Sequence, residues 1–411
     1  MARTVIKDGL VITGTSAPPI ERGVLILEDG KIAAVGRVSD LMAADPADRV
    51  LDATGCTVMP GLIDTHVHIF HEAQLLRLSE SAAGLWGANY VQSALRAGLT
   101  TIRDLGAQTS AVFGLRRAIR EHWVKGPRVQ ACGNAICMTG GHGWANLSAE
   151  ADGPDGVRKL ARLQLKAGAD VIKLMASGGA GTPGELPTSV QLGPEELRAG
   201  VEEAHQAGKP AAAHALATQS IVNAVEAGVD SVEHGVFLDE RCLDLLVSRN
   251  VALCPTISVY PRIVERGRAG GEGGFVIEKS VGLIEPHFAS LKRAVAAGVK
   301  IVYGTDSATL YNPLGDGEAE MALMVEAGMS PLAVIVSATR TAAELCGIAQ
   351  EVGTLAQGKL ADVTIVRGDA SRDIGAMRHV EAVFRDGVEV FRKGCGFASP
   401  GLVASPILGR A

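Results

Sequence analysis

His66 and His68 sit two residues apart in Gly61-Leu62-Ile63-Asp64-Thr65-His66-Val67-His68. The segment follows Pro60 and the apolar run Thr57-Val58-Met59, so it reads as a buried strand leaving the core. Residues i and i+2 of a strand face the same side, and two imidazoles at its end can grip one metal ion. An ordinary loop can also carry such a pair. Further metal-ligand types stand at or near the ends of other apolar runs: Lys173, His214, His234 and Asp306. Taken singly, a strand-end lysine can form a salt bridge, a histidine can be a hydrogen-bonded core residue, and Thr305-Asp306 can cap a helix. Jointly they suggest one site. His122, His205, His287 and His379 fall in helical or hairpin stretches and read as surface or packing histidines.

The elements that must position these groups have a clear rhythm. From about residue 58, short β-branched runs alternate with Ala-rich amphipathic segments. Strands are expected at the HxH segment, then at 99–104, 128–132, 171–175, 210–214, 231–234, 251–254 and 300–306. Helices are expected at 157–167, 194–207, 218–227, 239–248, 281–297 and 331–346. Several end in Ala-Gly, as at Gly168 and Gly228, where glycine can adopt the left-handed cap. Eight such units argue for a (β/α)8 TIM barrel, whose functional residues gather at the C-terminal strand ends. A doubly wound open sheet is the alternative. Residues 3–57 are β-like, with a hairpin signal at Glu28-Asp29-Gly30-Lys31 and a short helical stretch at 40–44. Strands return from about Val352. The expected organisation is therefore a β-sandwich from 1–57 plus 352–395, a barrel over 58–351, and a tail over 396–411.

Composition bounds the partners. The 411 residues carry a formal charge of −6 and no basic run, which gives no reason to expect nucleic acid. No apolar run is long enough to span a bilayer, and the N-terminus has no signal-peptide core. Seven scattered cysteines without a CxxC pair read as buried thiols in a reducing compartment, so a cytoplasmic protein is expected. A small-molecule substrate and a symmetric homo-oligomer are expected.

The segments GLIDTHVH, VIKLMASGG, AAAHA, SVEHG and YGTDS resemble the five metal motifs of the amidohydrolase superfamily. The resemblance covers essentially the whole chain. It implies that His66, His68 and Asp306 hold one metal and His214 and His234 a second. Lys173, carboxylated by CO₂, would bridge them. Zn²⁺ suits these donors, with Mn²⁺ or Co²⁺ possible. The implied nucleophile is a hydroxide shared by the two ions, with Asp306 as general base and then acid. Mononuclear members of the family, including many deaminases, generally lack the strand-4 lysine, so Lys173 favours a binuclear hydrolase of amide-type bonds.

The segment Met138-Thr139-Gly140-Gly141-His142-Gly143 is similar to one found in the branch of Xaa-Pro dipeptidases, Xaa-Arg/Lys carboxypeptidases and ochratoxin-type amidases. That resemblance makes His142 the electrophile on the scissile carbonyl. The branch often has a tyrosine three residues after the strand-6 histidine, against the substrate carboxylate, where this chain has Phe237. Tyr260, Tyr311 and Arg103 are further pocket candidates, although Arg103 can equally pair with Asp104 or another loop acid. The expected reaction is hydrolysis of the amide of a dipeptide or N-acyl amino acid. A cyclic amide, carbamate, ester or xenobiotic aryl amide is the alternative. A catalytically inactive scaffold is the remote third reading, since none of the six ligand positions is lost.

Overall fold

The first strands form a meander. β1 (Thr4–Val11), β2 (Ile20–Glu28) and β3 (Lys31–Arg37) pair antiparallel. Asp29 and Gly30 turn the second hairpin with φ of +49° and +79°, the positive pair that an Asp-Gly turn supplies. β4 (Arg49–Asp52) and β5 (Cys56–Pro60) both run parallel to β1. This computed structural model describes residues 3–394 except 16, 38, 40–47, 72–76, 271–273 and 310. The expected helical stretch at 40–44 and the tail at 396–411 lie outside the described residues.

The chain turns at Gly61 into β6 (Leu62–Val67), so Thr57–Met59 and the HxH segment are two strands of different sheets. Gly61 is needed there because a Cβ would fall 2.2 Å from Thr100 Oγ1. Next come α1 (Glu80–Tyr90), α2 (Gln92–Arg96), β7 (Leu99–Asp104), α3 (Ala111–Arg120) and β8 (Arg128–Ala131). β6, β7 and β8 form one parallel sheet.

A second parallel sheet contains β9 (Ala135–Cys137), β10 (Ser148–Glu150), β11 (Ile172–Met175), β12 (Ala211–Ala215), β13 (Ser231–His234) and β14 (Ala252–Cys254). Between its strands lie α4 (Gly153–Ala167), α5 (Pro194–Gln206), α6 (Thr218–Ala227) and α7 (Glu240–Ser248). The caps Gly168 and Gly228 have φ of +101° and +97°. β9 and β10, three residues each, were not expected.

The 300–306 stretch is not a regular strand. It makes isolated parallel bridges, Leu253 to Ile301 and Val67 to Ser307. On the other side, Asp170 N–H donates to Ala131 O at 2.8 Å, linking the two parallel sheets.

After β14, α8 (Val259–Ala269), which was not expected, precedes α9 (Phe275–Ala296), which begins earlier than its apolar period suggests. α10 (Glu318–Glu326), α11 (Pro331–Ser337) and α12 (Arg340–Leu345) follow, the last two replacing one expected helix. β15 (Val363–Arg367), β16 (Val380–Arg385) and β17 (Val388–Arg392) then add antiparallel to β5, so both ends of the chain share one eight-stranded sheet. Leu25, Val58, Val363 and Phe384, all fully buried, hold it together. Among the described residues no helix is long and apolar enough to cross a membrane. The six described cysteines are free and buried; Cys395 lies outside the described residues.

Candidate metal centre

His66 lies near the end of β6 and His68 just beyond it, both buried. The 300–307 stretch is stitched beside them. Asp306 N–H donates to His66 O at 2.8 Å, and His68 N–H to Ser307 O at 2.9 Å. Three atoms converge there: His66 Nε2, His68 Nε2 and Asp306 Oδ1. The two nitrogens are 3.3 Å apart, and each lies 3.5 or 3.3 Å from the oxygen. Two metal–nitrogen bonds of about 2.1 Å at a tetrahedral angle place their nitrogens roughly 3.4 Å apart. The triad therefore fits one small divalent ion.

Hydrogen bonds fix which imidazole nitrogen is free. His66 Nδ1–H donates to Glu233 Oε2 at 2.8 Å, and His68 Nδ1–H to Gly106 O at 2.9 Å. Their Nε2 atoms then face each other and the Asp306 carboxylate, which raises the His68 pKa in spite of burial and so favours positive charge at the place a metal ion would take. His234 Nδ1 is 2.7 Å from Thr256 Oγ1, whose hydroxyl donates to Pro255 O, so this histidine also offers Nε2. His214 is reversed: Nε2–H donates to Gly178 O at 3.1 Å, leaving Nδ1. Partners of this kind set the tautomer and aim the ligand. The rings of His66 and His234 are 5.1 Å apart, and those of His214 and His234 4.6 Å.

Lys173 on β11 is 1% exposed, and its Nζ has no hydrogen-bond partner. Burial lowers its pKa, while the nearby Glu233 and Asp306 carboxylates pull the other way. An orphaned, desolvated amine beside a ligand cluster is what a lysine awaiting a carboxylating CO₂ requires. Burial also lowers His66 to about 4, and His214 and His234 well below their usual value. These imidazoles are therefore neutral and able to ligate. Burial would raise Asp306, but His66, His68 and Lys173 outweigh it and bring the carboxyl down to about 2. His66, Glu233 and Cys254 also lie close together. Burial lifts the Cys254 thiol far above its usual range, and Glu233 is engaged by other donors, so this second trio reads as a hydrogen-bond network.

Glu233 was not foreseen as a site residue, and its partner Arg103 was expected either at the pocket or in an ion pair. Arg103 does not line a pocket. It is wholly buried, donates from Nε to Thr65 O at 2.6 Å, and pairs through Nη2 with Glu233 Oε1 at 3.0 Å. Asp104 instead takes the Ile69 and Gly106 N–H groups, at 2.7 and 3.2 Å. Arg103 thus holds the anion that orients His66.

His142 comes from the segment between β9 and β10. Its ring stacks on His214 with centroids 4.1 Å apart, and Nδ1–H donates to Glu185 Oε1 at 2.5 Å. Gln191 Nε2 and Gly179 N–H hold the same carboxylate. Gly179, in the SGG segment, is tight against this ring: a Cβ would sit 2.4 Å from His142 Cε1. Phe237 and Tyr260 share an apolar cluster with Leu216, Ile263 and Ile277. Tyr260 also packs edge-on against His287, which is a buried packing residue whose Nε2–H donates to His234 O. Tyr311 lies against Gly267 on α8, where Ile277 of that cluster also packs.

Comparison with known proteins identifies the family. The amidohydrolase family model matches residues 57–391. Ochratoxinase of Aspergillus niger is 31% identical over 440 residues, spanning 97% of this chain and 87% of that protein. Its solved structure superposes with a TM-score of 0.84 at 29% identity, covering 96% of this chain and 97% of that one. A Xaa-Pro dipeptidase structure with bound methionine gives 0.86 at 28% identity, covering 95% and 100%. This chain belongs to the amidohydrolase family of C–N bond hydrolases, in company with ochratoxinase and Xaa-Pro dipeptidase relatives.

Proposed function

We propose that the protein is a binuclear metal-dependent amidohydrolase cleaving the amide bond of a dipeptide or N-acyl amino acid. The observation that carries this is the approach of His66, His68 and Asp306 to within ligating distance beside an unpartnered, buried Lys173. His66, His68 and Asp306 would hold one ion, and His214 and His234 a second. A carboxylated Lys173 would bridge them. Zn²⁺ is the expected metal. Ions held there would supply the chemistry of lowering the pKa of water from 15.7 toward about 7, giving a nucleophile at neutral pH.

The chain's own groups do the rest. Asp306 accepts the proton of the attacking water and returns it to the leaving nitrogen. In the imidazolium form, with Nδ1–H held by the Glu185 carboxylate, His142 has a second N–H at Nε2 for the scissile carbonyl oxygen as negative charge develops there. The apolar wall of Phe237 and Tyr260 takes the substrate side chain. We further infer that the parallel strands close into one (β/α)8 barrel over 58–351. The Asp170–Ala131 hydrogen bond and the Leu253–Ile301 and Val67–Ser307 bridges support that closure. The terminal strands would form the accompanying sandwich.

A hydrolysis screen of the zinc-loaded protein tests this reading. Dipeptides and N-acyl amino acids would be set beside their carboxylate-blocked esters and amides. Cleavage of the amide-bond substrates with about two metal ions per chain is expected. Turnover confined to lactams, carbamates, esters or aryl amides would transfer the protein to the second reading, which Phe237 favours because it brings no hydroxyl for a carboxylate.

A further inference from the structure

Beside the residue that neighbours His142 stands a cation that the catalytic assignment leaves unused. α9 carries Lys279, Leu283 and His287 at i, i+4 and i+8, one face of the helix. Two of the three are tied to the site. His287 Nε2–H donates to His234 O at 3.0 Å, and its ring packs on Tyr260. Leu283 is buried in the Tyr260–Phe237 cluster. Lys279 is the third member of that face, about 12 Å along the helix axis from His287 at 1.5 Å per residue.

Its head group is linked to His142 through Thr182. Lys279 Nζ donates to Thr182 O at 2.8 Å. The Thr182 hydroxyl oxygen accepts from Gly143 N–H at 2.9 Å and sits 3.4 Å from His142 Nδ1. The nearby carboxylate that pulls on Lys279 electrostatically is Glu185, itself bound to His142. Of the other nearby cations, Arg103 holds Glu233, Arg262 and Arg266 hold Asp316, and Arg268 at the end of α8 is exposed to solvent. Among the ion pairs of the described residues Lys279 has none; its ammonium lies 5.1 Å from the Phe275 ring centroid and has two N–H donors beyond the one given to Thr182.

We propose that Lys279 binds the free carboxylate of the substrate, in place of the tyrosine hydroxyl that Phe237 lacks, and so selects N-acyl amino acids and dipeptides over carboxylate-blocked amides. This rests on the amide-hydrolase reading above. An ammonium supplies charge where a phenol supplies only a hydrogen bond, so the contact with an anion is charge-assisted. The Phe237 ring then completes the apolar floor without weakening recognition of the anion.

The test uses the zinc-loaded full-length protein and its Lys279→Met and Lys279→Arg variants, with N-acetyl-L-leucine and its carboxamide. The readout is the ratio of kcat/KM for acid over carboxamide. The wild type is expected to favour the acid. Lys279→Met should cut that ratio at least tenfold, mainly through KM for the acid, and Lys279→Arg should restore part of it. A Lys279→Met variant with both substrates slowed equally, or neither affected, would overturn the proposal and leave Lys279 as a tie between α9 and Thr182. Calorimetric binding of L-leucine against L-leucinamide decides the matter independently of turnover. If the wild type cleaves neither substrate, the amide-hydrolase reading has failed, but preferential binding of L-leucine that Lys279→Met abolishes still supports the lysine's role. Equal binding of the two ligands by the wild type overturns it.

Discussion

Asp306 and His234 both have left-handed backbones, at φ +53° and +74°, although neither is glycine. Such conformations cost about 1–3 kcal/mol and persist where the surroundings over-determine them, commonly at active sites. Asp306 is the group asked both to ligate and to move a proton. Asp306→Asn keeps the side chain's shape and removes the proton acceptor. Turnover should fall by about 10²- to 10⁴-fold, with the circular dichroism spectrum unchanged. Near-normal kcat in that variant would take Asp306 out of the mechanism. The residues themselves were legible because ligation restricts their types and strand ends restrict their places. Glu233 was not. Strand alternation puts it on the face opposite to His234, but the left-handed turn at His234 breaks the alternation, and both residues serve the centre. No spacing rule in the sequence signals that turn.

A similar control operates between elements. Glu320 on α10 is fully buried, and burial raises its pKa to about 7. Its two oxygens accept the Ile257 and Ser258 N–H groups at 2.8 and 2.7 Å. Those groups follow directly on Thr256, which has φ of +50° and receives the His234 Nδ1–H. α10 thus clamps the turn that aims one ligand of the proposed second ion. Glu320→Gln sets an amide N–H₂ against one backbone donor and should loosen the turn. The expected result is a second ion bound about 10- to 100-fold more weakly, with the first unaffected. Metal analysis after dialysis against graded zinc buffers reads this directly. Two ions retained at wild-type affinity would leave Glu320 a purely structural role. The sequence revealed the helix-glycine-strand rhythm, because Gly168 and Gly228 are left-handed caps with a physical signature. It did not reveal the three-residue β9 and β10, which are too short for any period to register, nor the irregular 300–306 stretch. That last segment is held by bridges to β14 and β6 rather than by a ladder of its own.

At the scale of the whole molecule, the terminal sheet must be fastened to the parallel strands that carry the site. Arg128, at the start of β8, donates to Asp362 Oδ2 and Asp386 Oδ1, both at 2.9 Å. The Asp362 side chain is 2% exposed. These partners lie 234 and 258 residues away in the chain. Both ends were recognisable as β-rich, but this fastening is a product of docking, and no local pattern announces it. Removing one partner of a buried pair leaves the other charge desolvated, at a cost of about 3 kcal/mol or more. Arg128→Ala should therefore lower the unfolding midpoint clearly. The Arg128 contacts lie at the N-terminal end of β8, whereas the ligands gather at the opposite strand ends, so metal content and kcat/KM at 25 °C should remain within about twofold of wild type. Thermal unfolding, metal analysis and steady-state kinetics on one preparation separate the two effects. Loss of metal in the folded variant at 25 °C would mean that the terminal sheet helps to shape the site. Loss of stability alone would mean that it acts as a fastening, with the chemistry confined to the opposite face.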